Sequence, residues 1–314
     1  MSKSILVLGG AHIDRRGRIF GETNAGASNP GAWFEEPGGG GFNAARNLAR
    51  LGHAVRMISP RGGDVLGEMV AASARNAGVD DRPFVFLDRK TPSYTAIIEN
   101  DGNLVIALAD MELYKLFGPR RLMIRAVRDA FAECDLVLCD ANLPTETLAA
   151  IAARCADMAK PLAAIAISPA KVVRLSPCLG GISHLFLNQA EAEALSRSRP
   201  EDPREWVAQL RTLGLRGGVI TRGQRPLVAF SENLTLTLQP PTLPEIADVT
   251  GAGDSLAAGV LAALLAGHDL AQAVRHGAAA AAITVQSPYA TSENLSPELL
   301  QQTLDLVPEA EILS

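Results

Sequence analysis

Short apolar runs alternate with longer helical patterns along most of this 314-residue chain, and few folds accommodate that alternation. The runs lack polar alternation, as strands do when helices cover both faces of a parallel sheet. Six candidate strands span residues 4–9, 54–59, 135–140, 162–167, 184–188 and 217–221. Five helical patterns span residues 43–51, 66–77, 119–132, 145–158 and 203–213. We therefore expect an α/β fold with a mostly parallel central sheet between two helix layers, in one domain over residues 1–314.

Two segments interrupt the alternation. Residues 84–110 have the pattern of strands around a tight turn at Asn100, Asp101 and Gly102, residue types that tolerate a positive φ. Residues 15–36 are rich in glycine, asparagine and serine. We expect these two segments to pair into a small, separate β-sheet that forms a lid over one edge of the central sheet.

Composition excludes several classes of function. The net charge of −5, without a run of basic residues, argues against a nucleic-acid partner. The longest apolar run, residues 256–266, is too short to cross a membrane, and the N-terminal apolar run is too short for a signal peptide. The four cysteines have neither zinc-ligand spacing nor a disulfide pattern, which favours reduced thiols and a cytoplasmic location.

The segment DVTGAGDSLAAG, residues 248–259, is the strongest candidate for chemistry. Gly251 and Gly253 precede an apolar helix, whose N-terminal N–H groups and partial positive charge favour a phosphate. The Asp254 carboxylate would repel a phosphate, but it would serve as the base that takes the proton from a hydroxyl attacking that phosphate. The alternative is that Asp254 caps the helix and the glycines only turn the chain. There is no GxxxxGK[ST] loop, which disfavours a Walker-type ATPase.

Two further segments precede helices. In EPGGGGFN, four glycines precede Asn43, so Gly39 and Gly40 would let a ligand approach the main chain, unless the segment is only a flexible loop. Asp14 follows the first strand, where a carboxylate can bind sugar hydroxyls or remain solvated in a turn. Asn188 and Glu191 follow another strand at Asn-x-x-Glu spacing, which is typical of a helix cap but also suits magnesium-bound water near a triphosphate.

The motifs PGGGGFNAARNLARLG, NQAE and DVTGAGDSLAAG together resemble the signature regions of the ribokinase-like (PfkB) carbohydrate kinases, over residues 5–287. The resemblance implies a three-layer α/β/α fold with a β-sheet lid, and ATP and Mg²⁺ as cofactors. It implies that Asp254 is the base and that the anion hole is formed by Gly251, Ala252 and Gly253. The implied sugar contacts are Asp14, Gly39, Gly40 and Asn43. The implied nucleotide and magnesium contacts are Asn188, Glu191 (through water), Thr221 and Gly223. The implied site for a monovalent cation such as K⁺ is Asp248 and Thr250.

Within that family, SNPG, DANL, EAEALS and the segment 91–112 are most similar to the members that phosphorylate the 5′-hydroxyl of the C-nucleoside pseudouridine. Trp33, Phe34 and Tyr94 are candidates to stack on the base. Ribose or another sugar or nucleoside remains an alternative acceptor. Pro226 replaces a glycine in the turn that contacts nucleotide phosphates in the family. Because of this departure, a non-catalytic nucleoside sensor remains an alternative function. Arg222 or Arg225 is a candidate to compensate. Both a monomer and a homodimer through the lid are compatible with the sequence.

Overall fold

The computed structural model describes residues 2–313. Its strands are β1 (Ser4–Leu8), β2 (His12–Ile19), β3 (Gly31–Gly38), β4 (Ala54–Ile58), β5 (Pro60–Gly62), β6 (Asp80–Asp81), β7 (Phe84–Phe86), β8 (Ser93–Ile98), β9 (Leu104–Asp110), β10 (Leu136–Asp140), β11 (Leu162–Ile165), β12 (His184–Asn188), β13 (Gly218–Arg222), β14 (Arg225–Phe230), β15 (Thr235–Leu238) and β16 (Glu311–Ile312).

The α-helices are α1 (Gly40–Arg50), α2 (Val65–Asn76), α3 (Arg125–Glu133), α4 (Thr145–Asp157), α5 (Pro169–Val172), α6 (Gln189–Ser196), α7 (Pro203–Thr212), α8 (Ala252–Leu265), α9 (Leu270–Val285) and α10 (Pro297–Leu304). Three 3₁₀ segments span Glu112–Leu116, Pro119–Met123 and Val173–Gly181. None of the helices within residues 2–313 is long and apolar enough to cross a membrane.

The central sheet has ten strands in the order β16-β15-β14-β13-β12-β11-β10-β1-β4-β6. All six strands expected from the sequence lie in it, and they pair in parallel with one another. Successive residues of β1 enter different cores: Ile5 and Val7 pack with α1, α8 and α9, whereas Leu6 and Leu8 pack with α3 and α4. Burial of both faces explains why these runs lack polar alternation. The fold is the expected three-layer α/β/α arrangement.

A second sheet, which we call the lid, has the order β3-β2-β8-β9. The two interrupting segments therefore pair, through β2 and β8, and Gly102 has a φ of 95° in the turn between β8 and β9. The expected boundaries differ at two points. The lid strand β2 begins at His12 rather than at residue 15, and Phe84–Phe86 pairs with β5 outside the lid, because Pro60–Gly62 offers it a parallel partner.

All four cysteines, Cys134, Cys139, Cys155 and Cys178, are free and buried in the core against α3 and α4. Burial raises the pKa of each thiol, to about 12 for Cys155 and to about 11 for Cys178. Their side chains therefore behave as small apolar groups.

Candidate active site

A cavity of about 880 Å³ lies between the lid and the carboxyl ends of the parallel strands. The lid contributes Asp14, Tyr94 and Ala109, and the strand ends contribute Asn188 and Thr221. This is the position where ligands bind in open α/β sheets.

The cavity brings together nearly all of the candidate residues found in the sequence. Those that line it are Asp14, Gly39, Gly40, Asn43, Asn188, Glu191, Thr221, Gly223, Thr250, Gly251, Ala252, Gly253 and Asp254. Asp248 is the exception, because its side chain turns toward the lid and is not part of the lining.

The Asp254 carboxylate lies in the first turn of α8 and is held from one side by α1. Asn43 Nδ2 donates to Asp254 Oδ2 at 2.8 Å, and Arg46 donates to Asn43 Oδ1 at 2.6 Å. Because an arginine can only donate, its bond fixes the Asn43 amide with the nitrogen toward Asp254. Arg46 is 6% exposed and is itself held by the carbonyl of Pro37. The sequence patterns gave no indication of Arg46, which acts through Asn43.

The surroundings of Asp254 favour its protonated form. Burial raises the pKa of Asp254 to about 7; the hydrogen bond from Asn43 opposes the rise, and the nearby carboxylates of Asp140 and Glu191 add to it. A base works best when its pKa lies near the operating pH, so this environment suits proton transfer at neutral pH.

The N-terminus of α8 combines a tight turn with an open approach. Gly251 has a φ of 75°, and a Cβ there would lie 1.9 Å from the carbonyl oxygen of Ala290, so only glycine fits. A Cβ on Gly253 would meet nothing within 4 Å, because that position opens onto the cavity. The first N–H groups of a helix lack intrahelical acceptors, so this end of α8 can receive an anion.

A chain of polar contacts leads from Tyr114 through His12 to Asp14. Tyr114 Oη and His12 Nδ1 lie 2.8 Å apart, and His12 Nε2 lies 3.3 Å from Asp14 Oδ1. Burial keeps the pKa of Tyr114 well above its usual value, so the phenol keeps its proton and is available as a donor to Nδ1. His12 thus has partners on both ring nitrogens, and it fixes the carboxylate that faces the cavity.

The Asn188–Glu191 pair forms a capping box on α6. Glu191 N donates to Asn188 Oδ1 at 3.0 Å, and Asn188 N donates to Glu191 Oε2 at 2.7 Å. Both residues also line the cavity, so a helix cap and a contact with ligand are compatible. Among the hydrogen bonds of residues 2–313, Glu191 uses Oε2 alone, which leaves Oε1 for a water of a magnesium ion.

The turn with Pro226 is a short hairpin in which Arg222 pairs with Arg225. Gly223 has a φ of 65° and lines the cavity. The guanidinium of Arg222 lies 5.9 Å from the ring centroid of Trp206, and Arg225 donates to the side chain of Gln189. Both arginines therefore have protein partners near this turn.

Two cavity residues carry polar groups that the sequence patterns did not single out. Lys171 donates to Asn142 Oδ1 at 2.7 Å, and burial lowers the pKa of Lys171. Asn142 is 2% exposed, and its Nδ2 has no acceptor among the described residues. A buried donor without an acceptor is costly, and Asn142 Oδ1 offsets part of that cost by accepting from Lys171. Their distance in sequence, 29 residues, hides the pair.

Of the three aromatic candidates for base stacking, Tyr94 lines the cavity. Phe34 stacks instead on Tyr289, with ring centroids 5.6 Å apart, and Trp33 is 60% exposed on the other face of the lid. Tyr94 lies opposite Asp14 in the paired strands β8 and β2, so a base and its sugar would contact neighbouring positions of the lid.

In the structure, the expected site for a monovalent cation already has protein donors around its carboxylate. Asp248 Oδ2 accepts a hydrogen bond from Arg16 at 2.6 Å, and Asp248 Oδ1 accepts from the N–H and hydroxyl of Thr250 at 2.8 and 2.7 Å. Both carboxylate oxygens are occupied by donors, and one donor carries a positive charge. The prediction that Asp248 and Thr250 bind K⁺ stays a prediction, and in the structure Arg16 lies against that carboxylate.

The fold and this cavity define a class of enzyme, and comparison with known families agrees. The chain matches the pfkB family carbohydrate kinase model over residues 2–297, and it belongs to that family. It is therefore a phosphotransferase that acts on a hydroxyl group.

Individual relatives span the whole chain. It is 27% identical over 314 residues to the pseudouridine kinase of Escherichia coli K12, covering 99% of this chain and 98% of the relative. The structure of a carbohydrate kinase from Agrobacterium tumefaciens is 61% identical, with a TM-score of 0.90 and coverage of 99% and 100%. The Arabidopsis thaliana ribokinase, solved with ribose and ATP, shares the fold at 20% identity, with a TM-score of 0.84 and coverage of 97% and 99%.

Proposed function

We propose that this protein transfers the γ-phosphoryl group of ATP to the 5′-hydroxyl of a ribosyl nucleoside, with pseudouridine as the preferred acceptor. The observation that carries the proposal is the Asp254 carboxylate, which faces the cavity beside the N-terminus of α8. In the proposed step Asp254 takes the proton of the 5′-hydroxyl while that oxygen bonds to the γ-phosphorus. The bond from phosphorus to the β–γ bridging oxygen breaks, and ADP leaves.

The phosphate side of the cavity supports this assignment. The open approach at Gly253 and the N–H groups of the first turn of α8 would receive the transferred group and stabilise its developing charge. Glu191 and Asn188 would hold the water ligands of a Mg²⁺ ion. When bound, that ion would neutralise part of the charge of the triphosphate. Thr221 and Gly223 lie on the same wall, where the nucleotide would extend.

Three observations support a nucleoside as the acceptor. The E. coli relative named for pseudouridine aligns over 314 residues. Tyr94 offers a face on which a base can stack next to Asp14, which would bind the ribose hydroxyls. Lys171, which lines the cavity, supplies a donor that suits a carbonyl oxygen of a pyrimidine.

The test is ATP consumption by the purified protein with Mg²⁺, comparing pseudouridine, uridine, adenosine and ribose at matched concentrations. We expect strong selectivity for pseudouridine, since a site that hydrogen-bonds the base rejects ribose. Turnover of ribose or adenosine instead would keep the kinase chemistry and replace the acceptor. Nucleoside binding without ATP turnover by the intact protein would replace catalysis with sensing.

We also propose that the protein forms a homodimer through the outer face of the lid. The outer lid patch, Trp33, Ile97, Ile106 and Leu108, lies on the face opposite Asp14 and Tyr94. Trp33, Ile106 and Leu108 are 60%, 66% and 70% exposed, and exposed apolar patches commonly mark interfaces. Sedimentation should give a dimer that Ile106→Glu dissociates, whereas Leu87→Glu, at an exposed apolar side chain outside the lid, should not. A monomeric wild-type protein would contradict this proposal.

A further inference from the structure

Arg16 contacts Asp248, the carboxylate at which the family resemblance implies a monovalent cation. Its guanidinium lies in the lid strand β2, on the same face as Asp14, and donates to Asp248 Oδ2 at 2.6 Å. The arginine side chain is 26% exposed and the aspartate side chain 22% exposed, so the contact is largely shielded from water. A positive charge therefore already lies against Asp248, where it would repel a second cation.

The position of Arg16 is fixed by two other contacts within the lid. Its second terminal nitrogen donates to Glu36 Oε1 at 2.7 Å. Its guanidinium lies 4.8 Å from the ring centroid of Phe34, and Phe34 stacks on Tyr289. A guanidinium held by two carboxylates and an aromatic face has little freedom to leave.

These contacts reach both loops that support the N-terminus of α8. Asp248 begins the loop that leads into Gly251, and Glu36 Oε2 accepts from the N–H of Ala290 at 3.1 Å. The carbonyl of Ala290 is the group against which Gly251 packs. The lid residues Arg16 and Glu36 therefore hold the two backbone segments whose contact shapes the anion hole.

We propose that Arg16 is a built-in replacement for the monovalent cation: its guanidinium neutralises Asp248 and orders the loop before α8, so that the anion hole forms without K⁺. The role is a positioning one, since Arg16 does not line the cavity. The proposal rests on the proposed function, in that the ordered loop serves phosphoryl transfer. Because the guanidinium belongs to the lid, displacement of the lid would remove the charge from the loop.

The experiment compares the wild-type protein with Arg16→Gln, in K⁺, Na⁺ and tetramethylammonium salts at matched ionic strength. The matched control is Arg15→Gln: Arg15 is the next residue of β2, pairs with Glu35 at 2.7 Å, and lies on the opposite face of the lid. Thermal unfolding is measured first, because it needs no substrate. We expect K⁺ to raise the Tm of Arg16→Gln alone, by a few degrees, through binding to the exposed Asp248 site.

Kinase assays in the same salts give the second readout. We expect the turnover of wild type and of Arg15→Gln to differ by less than about twofold between K⁺ and tetramethylammonium. The turnover of Arg16→Gln should fall about tenfold or more in tetramethylammonium and should recover in K⁺. Arg16→Lys retains a charge and should stay independent of K⁺; it also serves if Arg16→Gln does not fold. Activation or stabilisation of the wild type by K⁺ overturns the proposal, and so does a loss in Arg16→Gln that K⁺ leaves unchanged. A wild type inactive on every acceptor refutes the proposed function, whereas the unfolding data still decide the role of Arg16.

Discussion

Replacement of Asp254 by asparagine should remove activity and yet stabilise the fold. Burial raises the pKa of Asp254 from 3.8 to about 7 in the folded protein. The folded protein therefore keeps this proton to a higher pH than the unfolded chain does. Between about pH 4 and pH 7 the unfolded chain binds fewer protons, so the free energy of unfolding falls as the pH rises through that window.

The size of the effect follows from the pKa difference. The ionised carboxylate lowers the free energy of unfolding by about 4 kcal/mol above pH 7 and by about 2 kcal/mol at pH 5. An asparagine carries no charge, and its Oδ1 can still accept the hydrogen bond from Asn43. The variant should therefore gain up to about 6 °C in Tm at pH 8 in a chain of this length.

The assay is urea unfolding of wild type and Asp254→Asn at pH 5 and pH 8, with Glu298→Gln, at an exposed carboxylate, as the control. The stabilisation should be larger at pH 8, and turnover should fall by about a hundredfold or more with little change in acceptor affinity. For the wild type, kcat/KM should fall about tenfold per pH unit below pH 7, as Asp254 becomes protonated. An equal stability difference at both pH values, or near-normal turnover of the variant, would refute the reasoning.

Three other substitutions test single contacts. Gly251→Ala should lower the free energy of unfolding in urea by more than about 2 kcal/mol, because it combines a positive φ with a clash against Ala290. Gly253→Ala should leave stability within about 1 kcal/mol and lower kcat about tenfold or more. Equal stabilities of the two variants would contradict this reasoning. Tyr114→Phe should raise the acceptor KM more than it lowers kcat, since His12 loses the partner that orients it toward Asp14, and an unchanged KM would exclude that role. Asn142→Ala should raise the acceptor KM about fivefold and destabilise by about 1 kcal/mol, because the cavity residue Lys171 loses the Oδ1 acceptor that holds it. A loss of stability with an unchanged KM would show a purely structural role.

The sequence predicted the parts of the fold that depend on local pattern. Strands buried on both faces are short apolar runs, so β1, β10 and β12 were visible without any alignment. The antiparallel edge strands β14 and β15 were missed, because the chain turns there without the βα alternation on which the prediction depended. The 84–86 segment was assigned to the lid because an isolated apolar triplet does not indicate which sheet will pair with it.

The candidate site was predictable where one segment carries several chemical groups. Gly251, Gly253 and Asp254 lie in one short motif, and the structure places them together on the cavity. Contacts made across the fold were not predictable. Arg16 meets Asp248 across 232 residues, and the two are joined only once the lid has folded back over α8. The prediction of a cation site considered Asp248 without Arg16, because the aspartate is visible in the motif and the arginine lies far away in the sequence.

The burial of all four cysteines has a practical consequence. With raised thiol pKa values and no more than 8% exposure each, they should react slowly with maleimide reagents under native conditions. A single cysteine introduced at exposed Asp101, in the turn at the tip of the lid, could then carry a fluorescent dye without removal of any natural thiol. Lid opening could therefore be recorded by fluorescence without first replacing the four natural cysteines.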